Sequence, residues 1–311
     1  MKRHFIILLT LFLLGCTTHK NLGTSIKNAE ITKIPILIDQ EAKEAGAIVF
    51  YVPVKIDGIE KEFKMQFDLG MAVSVIYENS LNSILKKYPN LKRKLFERND
   101  YQIFKTNFTF ADVNSSLDSL VVYKNYGSDK KFQGQDNIGS IGVNQFNNRI
   151  LLINYKDLYL QIIENENQIP KEKFDFTPMD VTSNKKIIVK LKAGKDYVNF
   201  LFDTGNGVPI ATINKEFYDL QTENQKELKD TISGNSWGDI ICLYGAKQQK
   251  SIGMENTTLS IGDNRLYYTQ ANRIVEIFKK INIEHSIGNT LFLDKTIVFD
   301  FKNNQFGIMK N

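Results

Sequence analysis

Cysteine is scarce in this chain of 311 residues: Cys16 and Cys242 are the only two, and there are three histidines. A thiolate nucleophile wants a histidine partner, and a structural zinc wants four Cys or His ligands. The inventory nearly excludes both chemistries. Charge of one sign is scarce too. Forty Lys and Arg stand against 35 Asp and Glu, a formal +5 that loses two once Lys2 and Arg3 are gone, and the basic residues are scattered. That is no nucleic-acid footprint. Lys-rich stretches such as "LKKYPNLKRKL" read as solvated faces. Long apolar runs are missing as well. The one candidate, Phe5 to Leu14, falls short of the ~20 residues a membrane helix needs. What remains, 42% hydrophobic and 24% charged, can bury a sizeable core.

The start, "MKRHFIILLTLFLLGC", has the order of a secretory leader: a short basic stretch, then an apolar one. Its end resembles a bacterial lipobox, which implies cleavage before Cys16 and lipidation of its sulfur. The chain is then exported and lipid-anchored to a bacterial cell membrane, with the outer membrane, periplasmic or surface face, as the expected place. With Cys16 so used, no intramolecular disulfide is possible, and the fold stands on its core alone. Cys242, in "DIICLYG", reads as a small buried hydrophobe. Residues 1–16 are thus the leader and 17–30, polar and without period, a flexible tether.

From "ITKIPILI" onward, most segments are short, β-branched or aromatic, and broken by Gly, Asn and Asp, so the chain is expected to be mostly β. "NRIVEIFKKI" is an exception, with Ile274, Ile277, Phe278 and Ile281 on one helical face. "NKEFYDLQTENQKELKDTI" is a weaker helical candidate. "ENENQIPKEKFDFTP" (164–178), with Pro170 and Pro178, reads as a linker between lobes spanning 31–165 and 166–311.

Two stretches then repeat one design. "FKMQFDLGMAVSVIY" alternates Phe63, Met65 and Phe67 up to Asp68; "NFLFDTGNGVPIATI" brings Val198, Phe200 and Phe202 up to Asp203. Such alternation is a strand carrying its buried face to a turn. Gly70 and Gly205 follow two residues after each aspartate, where a tight turn favours a residue without Cβ. Further on, "SIGVNQFNNRILLINYKDLYLQI" aligns without a gap on "SIGNTLFLDKTIVFDFKNNQFGI", placing Gly142 on Gly288, Phe146 on Phe292 and Tyr155 on Phe301. Two copies in one order, matched at both ends, indicate an internal duplication.

Apolar-apolar-Asp-Thr-Gly followed by an Ile-Gly element is similar to one lobe of the pepsin-like and retropepsin-like aspartic peptidases. The duplication resembles the bilobal pepsin arrangement over about residues 31–311. The resemblance implies two related β-barrel lobes with a few short helices, and a catalytic pair, Asp68 and Asp203, one from each lobe. Two carboxylates about 3 Å apart share one proton, so one activates water while the other polarises the scissile carbonyl. No cofactor or metal is implied. The partner would be a peptide or protein substrate in an inter-lobe cleft, and the chain would act as a monomer with no nucleic acid.

In the family the hydroxyl after each aspartate bonds across the lobes. Thr204 matches that place; Leu69 does not, and Met71 stands where Ser, Thr or Ala is usual. Asn206 could bond its aspartate. A flap tyrosine is not singled out among Tyr101, Tyr123 and Tyr126. His285 reads as a structural or surface residue, and Trp237 as core or cleft lining. The bland alternative makes both aspartates turn caps. A glycosidase pair finds no acid and base placed for a sugar ring. Two functions stay open: a lipid-anchored aspartic endopeptidase, or a catalytically silent lipoprotein holding a peptide or glycan on the same scaffold.

Overall fold

The structure is a computed structural model describing residues 32–39, 43, 48–110, 113–114, 119–127, 136–223, 230–236, 239–259 and 265–310. The leader with Cys16, the tether, and Trp237 lie outside the described residues. Among those described, no helix is long and apolar enough to cross a membrane. The fold is mostly β and bilobal in the pepsin-like manner, with two sheets and a few short helices.

The first lobe is built on a hairpin, Phe50–Ile56 with Glu62–Phe67. Phe63, Met65 and Phe67 are buried at 1% exposure each while Lys64 and Gln66 stay half-exposed, so the alternation sets which face meets the core. Glu62–Phe67 then runs parallel to Asn137–Ile141, which lies antiparallel to Val75–Tyr77. Val75–Tyr77 in turn runs parallel to Leu120–Tyr123. The second lobe repeats every step. The hairpin Ile187–Ala193 with Asp196–Phe202 leads to a parallel pairing with His285–Ile287. That strand is antiparallel to Ile210–Thr212, itself parallel to Arg265–Tyr268. A helix follows the third strand each time, Glu78–Lys87 and Lys215–Gln221. Asn214 caps the latter, its Oδ1 accepting from Phe217 N–H at 2.8 Å.

The lobes are joined by the closing strands. Ile150–Asn154 pairs antiparallel with its own counterpart, Thr296–Asp300, with Leu152 opposite Val298 at the centre. Ile150 faces Asp300, and Asn154 faces Thr296, as a local twofold through that centre requires. The flanking bonds obey the same symmetry: Tyr155 N–H donates to Lys295 O and Phe301 N–H to Arg149 O, both at 3.0 Å. Beneath this seam Phe202, Phe292, Phe299 and Phe306 pack ring on ring, all fully buried. Each such ring is worth about 1.5–3 kcal/mol in area removed from water.

Three sequence expectations are adjusted. The proposed linker is only partly a connector: after two short 3₁₀ turns, Phe174–Val181 is a strand paired to Gln305–Met309 in the joining sheet. Phe174 is buried there as core, and Asp175 is buried because its carboxylate accepts from Thr257 O–H and from the Asn256 amide, partners the local sequence does not reveal. Cys242 is exposed, not buried. It lies on Asp239–Lys247 beside buried Leu243, and strand alternation sends adjacent side chains to opposite faces. The weaker helical candidate forms a helix only over Lys215–Gln221. "NRIVEIFKKI" is the helix Asn272–Lys280, laying Ile274, Ile277 and Phe278 on Ile188 and Leu201.

Candidate active site

Each aspartate sits where its strand runs out of partner. Asp68 N–H donates to Ile141 O and Asp203 N–H to Ile287 O, both at 3.0 Å, the last rungs of the parallel ladders. The chain then turns: Met71 N–H returns to Asp68 O at 3.1 Å and Asn206 N–H to Asp203 O at 3.0 Å. Inside each turn the carboxylate accepts from the glycine two residues on, Gly70 N–H at 3.0 Å and Gly205 N–H at 2.8 Å. These are turn caps, as the bland alternative holds, but the turns also face each other. A Cβ on Gly70 would lie 2.3 Å from Asp203 Oδ1, and one on Gly205 2.8 Å from the Asp68 carboxyl carbon. The glycines are therefore the space through which the acids approach. Gly142 and Gly288 stand behind, where a Cβ would strike the backbone of Val73 and of Asn206.

The two carboxyl groups lie against each other's turn, close enough for a hydrogen bond between them to favour a protonated Asp68. Burial, with Asp68 only 4% exposed, and the neighbouring Asp203 charge push the Asp68 carboxyl well above the usual carboxylate range. The Lys186 ammonium and the Gly70 N–H pull the other way. Asp203 is half-buried. Two like charges about 4 Å apart repel by about 4 kcal/mol at an effective dielectric of 20, several times the net worth of one hydrogen bond. A proton held between the acids removes that repulsion.

The brace between lobes is one-sided. Thr204 Oγ1 accepts from Leu69 N–H at 2.6 Å and donates to Phe67 O at 2.9 Å. Leu69, fully buried, has no atom to return the bonds and serves as core. A second, unforeseen brace runs behind. Asn289 Nδ2 donates to Thr204 O at 2.5 Å, and Asn289 Oδ1 accepts from Tyr155 O–H of the other lobe at 2.8 Å. Their counterparts, Val143 and Phe301, can do neither. Asn206 does not bond its aspartate through its side chain: Nδ2 donates to Ser286 Oγ at 3.2 Å and Oδ1 accepts from Val208 N–H at 3.2 Å. Both ends of the amide are thus taken, one by the strand His285–Ile287 and one by the turn that follows.

Sequence reasoning also missed Tyr77 and Lys186. Tyr77 is buried, its O–H 2.8 Å from Ser140 Oγ, with Tyr126 edge-on to its ring at 4.8 Å and Tyr123 beside Tyr126 at 5.6 Å. Tyr101 begins a strand of the short hairpin Leu95–Arg98 with Tyr101–Phe104, which pairs antiparallel with Leu120–Tyr123, the strand that carries Tyr123. Lys186 Nζ donates to the Gly70 carbonyl. His285 is structural: buried against Phe200 and Phe217, it meets Thr212 Oγ1 through Nδ1 at 2.8 Å, and burial lowers its pKa to about 4.

No known family matches the chain, and no curated protein does. Its fold is similar to conglutin gamma, a basic 7S globulin from lupine seeds, with a TM-score of 0.53 at 10% identity, covering 91% of this chain and 96% of that one. An aspartic proteinase from Irpex lacteus gives a TM-score of 0.48 at 11% identity, over 91% and 98%. At such identities the likeness is one of fold alone.

Thr204→Val should destabilise the protein by about 2–5 kcal/mol in chemical denaturation, leaving two buried backbone groups unpartnered, and Thr204→Ser should recover most of it. Asp68→Asn has a pH signature. A carboxyl whose folded pKa is raised binds its proton more tightly folded than unfolded. Stability is therefore lost as pH rises from the ordinary aspartate pKa, about 3.9, through the folded value. The Asn variant should be more stable than the parent at pH 7 and lose that advantage below about pH 4, as read from denaturation midpoints.

Proposed function

We propose that the protein is an aspartic-type peptidase. The observation that carries this reading is the close approach of the Asp68 and Asp203 carboxyls across Gly70 and Gly205, in matching turns of two duplicated lobes. Asp68, the more buried acid with its pKa raised, carries the shared proton. Asp203, half-buried, takes a proton from a water lying between the pair as the water oxygen attacks the peptide carbonyl carbon. Asp68 gives its proton to the carbonyl oxygen, so a neutral gem-diol forms. Collapse reverses the traffic: a hydroxyl proton returns to one carboxylate, the nitrogen receives one, and the C–N bond breaks. Thr204 supports the step by fixing the turns, and Gly70 and Gly205 by letting the acids meet. The substrate is a peptide or protein segment approaching from the exposed side of the turns, where Val73 lies.

A binding role on the same scaffold is favoured by one observation, the hydroxyl-free Leu69. Peptide-library hydrolysis from pH 3 to 7 separates the two. The peptidase reading expects cleavage that falls by about 10²–10⁴-fold in Asp203→Asn. Peptide binding without cleavage, with turnover gained in Leu69→Thr, supports the binding reading; unchanged turnover in Asp203→Asn removes the peptidase. We further propose that the chain works at a membrane surface, tethered through lipid on Cys16. The parent should sediment with membranes, and Cys16→Ser should be released into the soluble fraction.

A further inference from the structure

Lys186 occupies a position that the duplication alone does not account for. The turn before it is tightly tied: Thr182 N–H donates to Lys186 O at 2.9 Å, Lys185 N–H to Thr182 O at 2.8 Å, and Lys186 N–H to Thr182 Oγ1 at 3.0 Å. Lys185 is left-handed, at φ 59°. The following strand pairs Ile187 with Phe202, so the next rung places Lys186 beside Asp203. Ile187 and Phe202 are both fully buried. Alternation then sends Lys186 and Asp203 to the opposite, shared face. From there the ammonium crosses to the other lobe and donates to the carbonyl of Gly70, the residue against which Asp203 rests. In the first lobe the corresponding rung, continued from Tyr51 opposite Gln66, puts Val49 beside Asp68. One lobe thus supplies a cation where the other supplies a methyl surface.

We propose that Lys186 is a positioning residue of the acid pair: its ammonium, anchored on the Gly70 carbonyl, supplies the counter-charge that balances the singly protonated pair, and a cross-lobe tie that Leu69 cannot make. A pair holding one proton carries one negative charge. With Lys186 the site is neutral overall, the state a buried carboxylate tolerates best. The tie also runs in the direction Thr204 already uses, from second-lobe side chains to first-lobe backbone, so the Phe67–Gly70 turn is held by three bonds. The other titratable groups facing Asp68 are Asp203 and Tyr77, with Tyr126 behind Tyr77, and Tyr51 with its partner Asp39 beyond them. Both tyrosines nearest the pair are raised above their ordinary range by burial and are neutral over the working pH, so Lys186 is the cation that sets the local balance.

This inference rests on the acid-pair reading of the site, and its test does not need turnover. In the full-length chain, aspartate labelled with ¹³C at the side-chain carboxyl is titrated by NMR, the Asp68 and Asp203 signals being assigned by single Asn variants. Lys186→Met should move the pair's protonation midpoints upward by about one pH unit or more, since a neighbouring cation lowers a carboxyl by about 1–3 units. Lys186→Gln, which keeps a donor for Gly70 O without the charge, should shift them likewise, and Lys186→Arg should restore them. If cleavage is detectable, its bell-shaped pH profile should move the same way. Midpoints unchanged in both Met and Gln variants overturn the proposal. A shift in Met that Gln reverses assigns Lys186 a hydrogen-bonding role alone and overturns the charge-balancing one. Shifted midpoints in a protein that cleaves nothing uphold Lys186 while removing the peptidase.

Discussion

One close approach, that of the carboxyl groups of Asp68 and Asp203, makes demands on nearly everything around it. Two acids cannot be brought together in a poorly hydrated place unless a proton is shared, and the shared proton is useful only if the acids cannot drift apart. Geometry therefore has to be supplied by backbone rather than by the acids. Parallel ladders end at each aspartate, turns close behind them, and glycine opens the space between. Behind all of it the closing strands pair about a local twofold centred on Leu152 and Val298, which keeps the two turns in register.

Within that symmetric frame the site itself is asymmetric. Thr204 faces Leu69, Asn289 corresponds to Val143, Tyr155 to Phe301, and Lys186 to Val49. In most of these pairs the polar member belongs to the second lobe and reaches for first-lobe backbone or, through Asn289, for a first-lobe tyrosine. The first lobe contributes apolar surface and the more buried acid; the second contributes most of the bracing side chains and the charge. A duplicated scaffold needs both halves to fold, but bracing one junction requires bonds from one side only. Losing the hydroxyl at Leu69 then costs less than it would in an unassisted pair.

Much of this could be read in the chain before any coordinates. The alternation through Phe63, Met65 and Phe67 fixes a strand and its buried face, and the matching of Gly142 to Gly288 reveals the repeat because backbone crowding there admits no Cβ. The acids were legible for the same reason: each ends a buried strand. Lys186 was not, since a lysine in "SNKKII" looks like any solvated turn until the rung opposite Asp203 is known. Asn289 and Tyr155 lie far apart in sequence and meet only across the lobe junction. Cys242 was misplaced because composition speaks of burial on average, whereas its strand presents alternate residues to opposite faces. The strand Phe174–Val181 was hidden by Pro178 and the charged residues flanking it.

The most direct measurement of the central claim is a neutron diffraction structure near pH 5, where hydrogen positions are visible. The account predicts one deuteron between Asp68 and Asp203, with carboxyl oxygens within about 3 Å of each other and no second one on either acid. Two separately ionised or separately protonated carboxyls, with their oxygens well beyond that reach and each bonded only within its own turn, would contradict it.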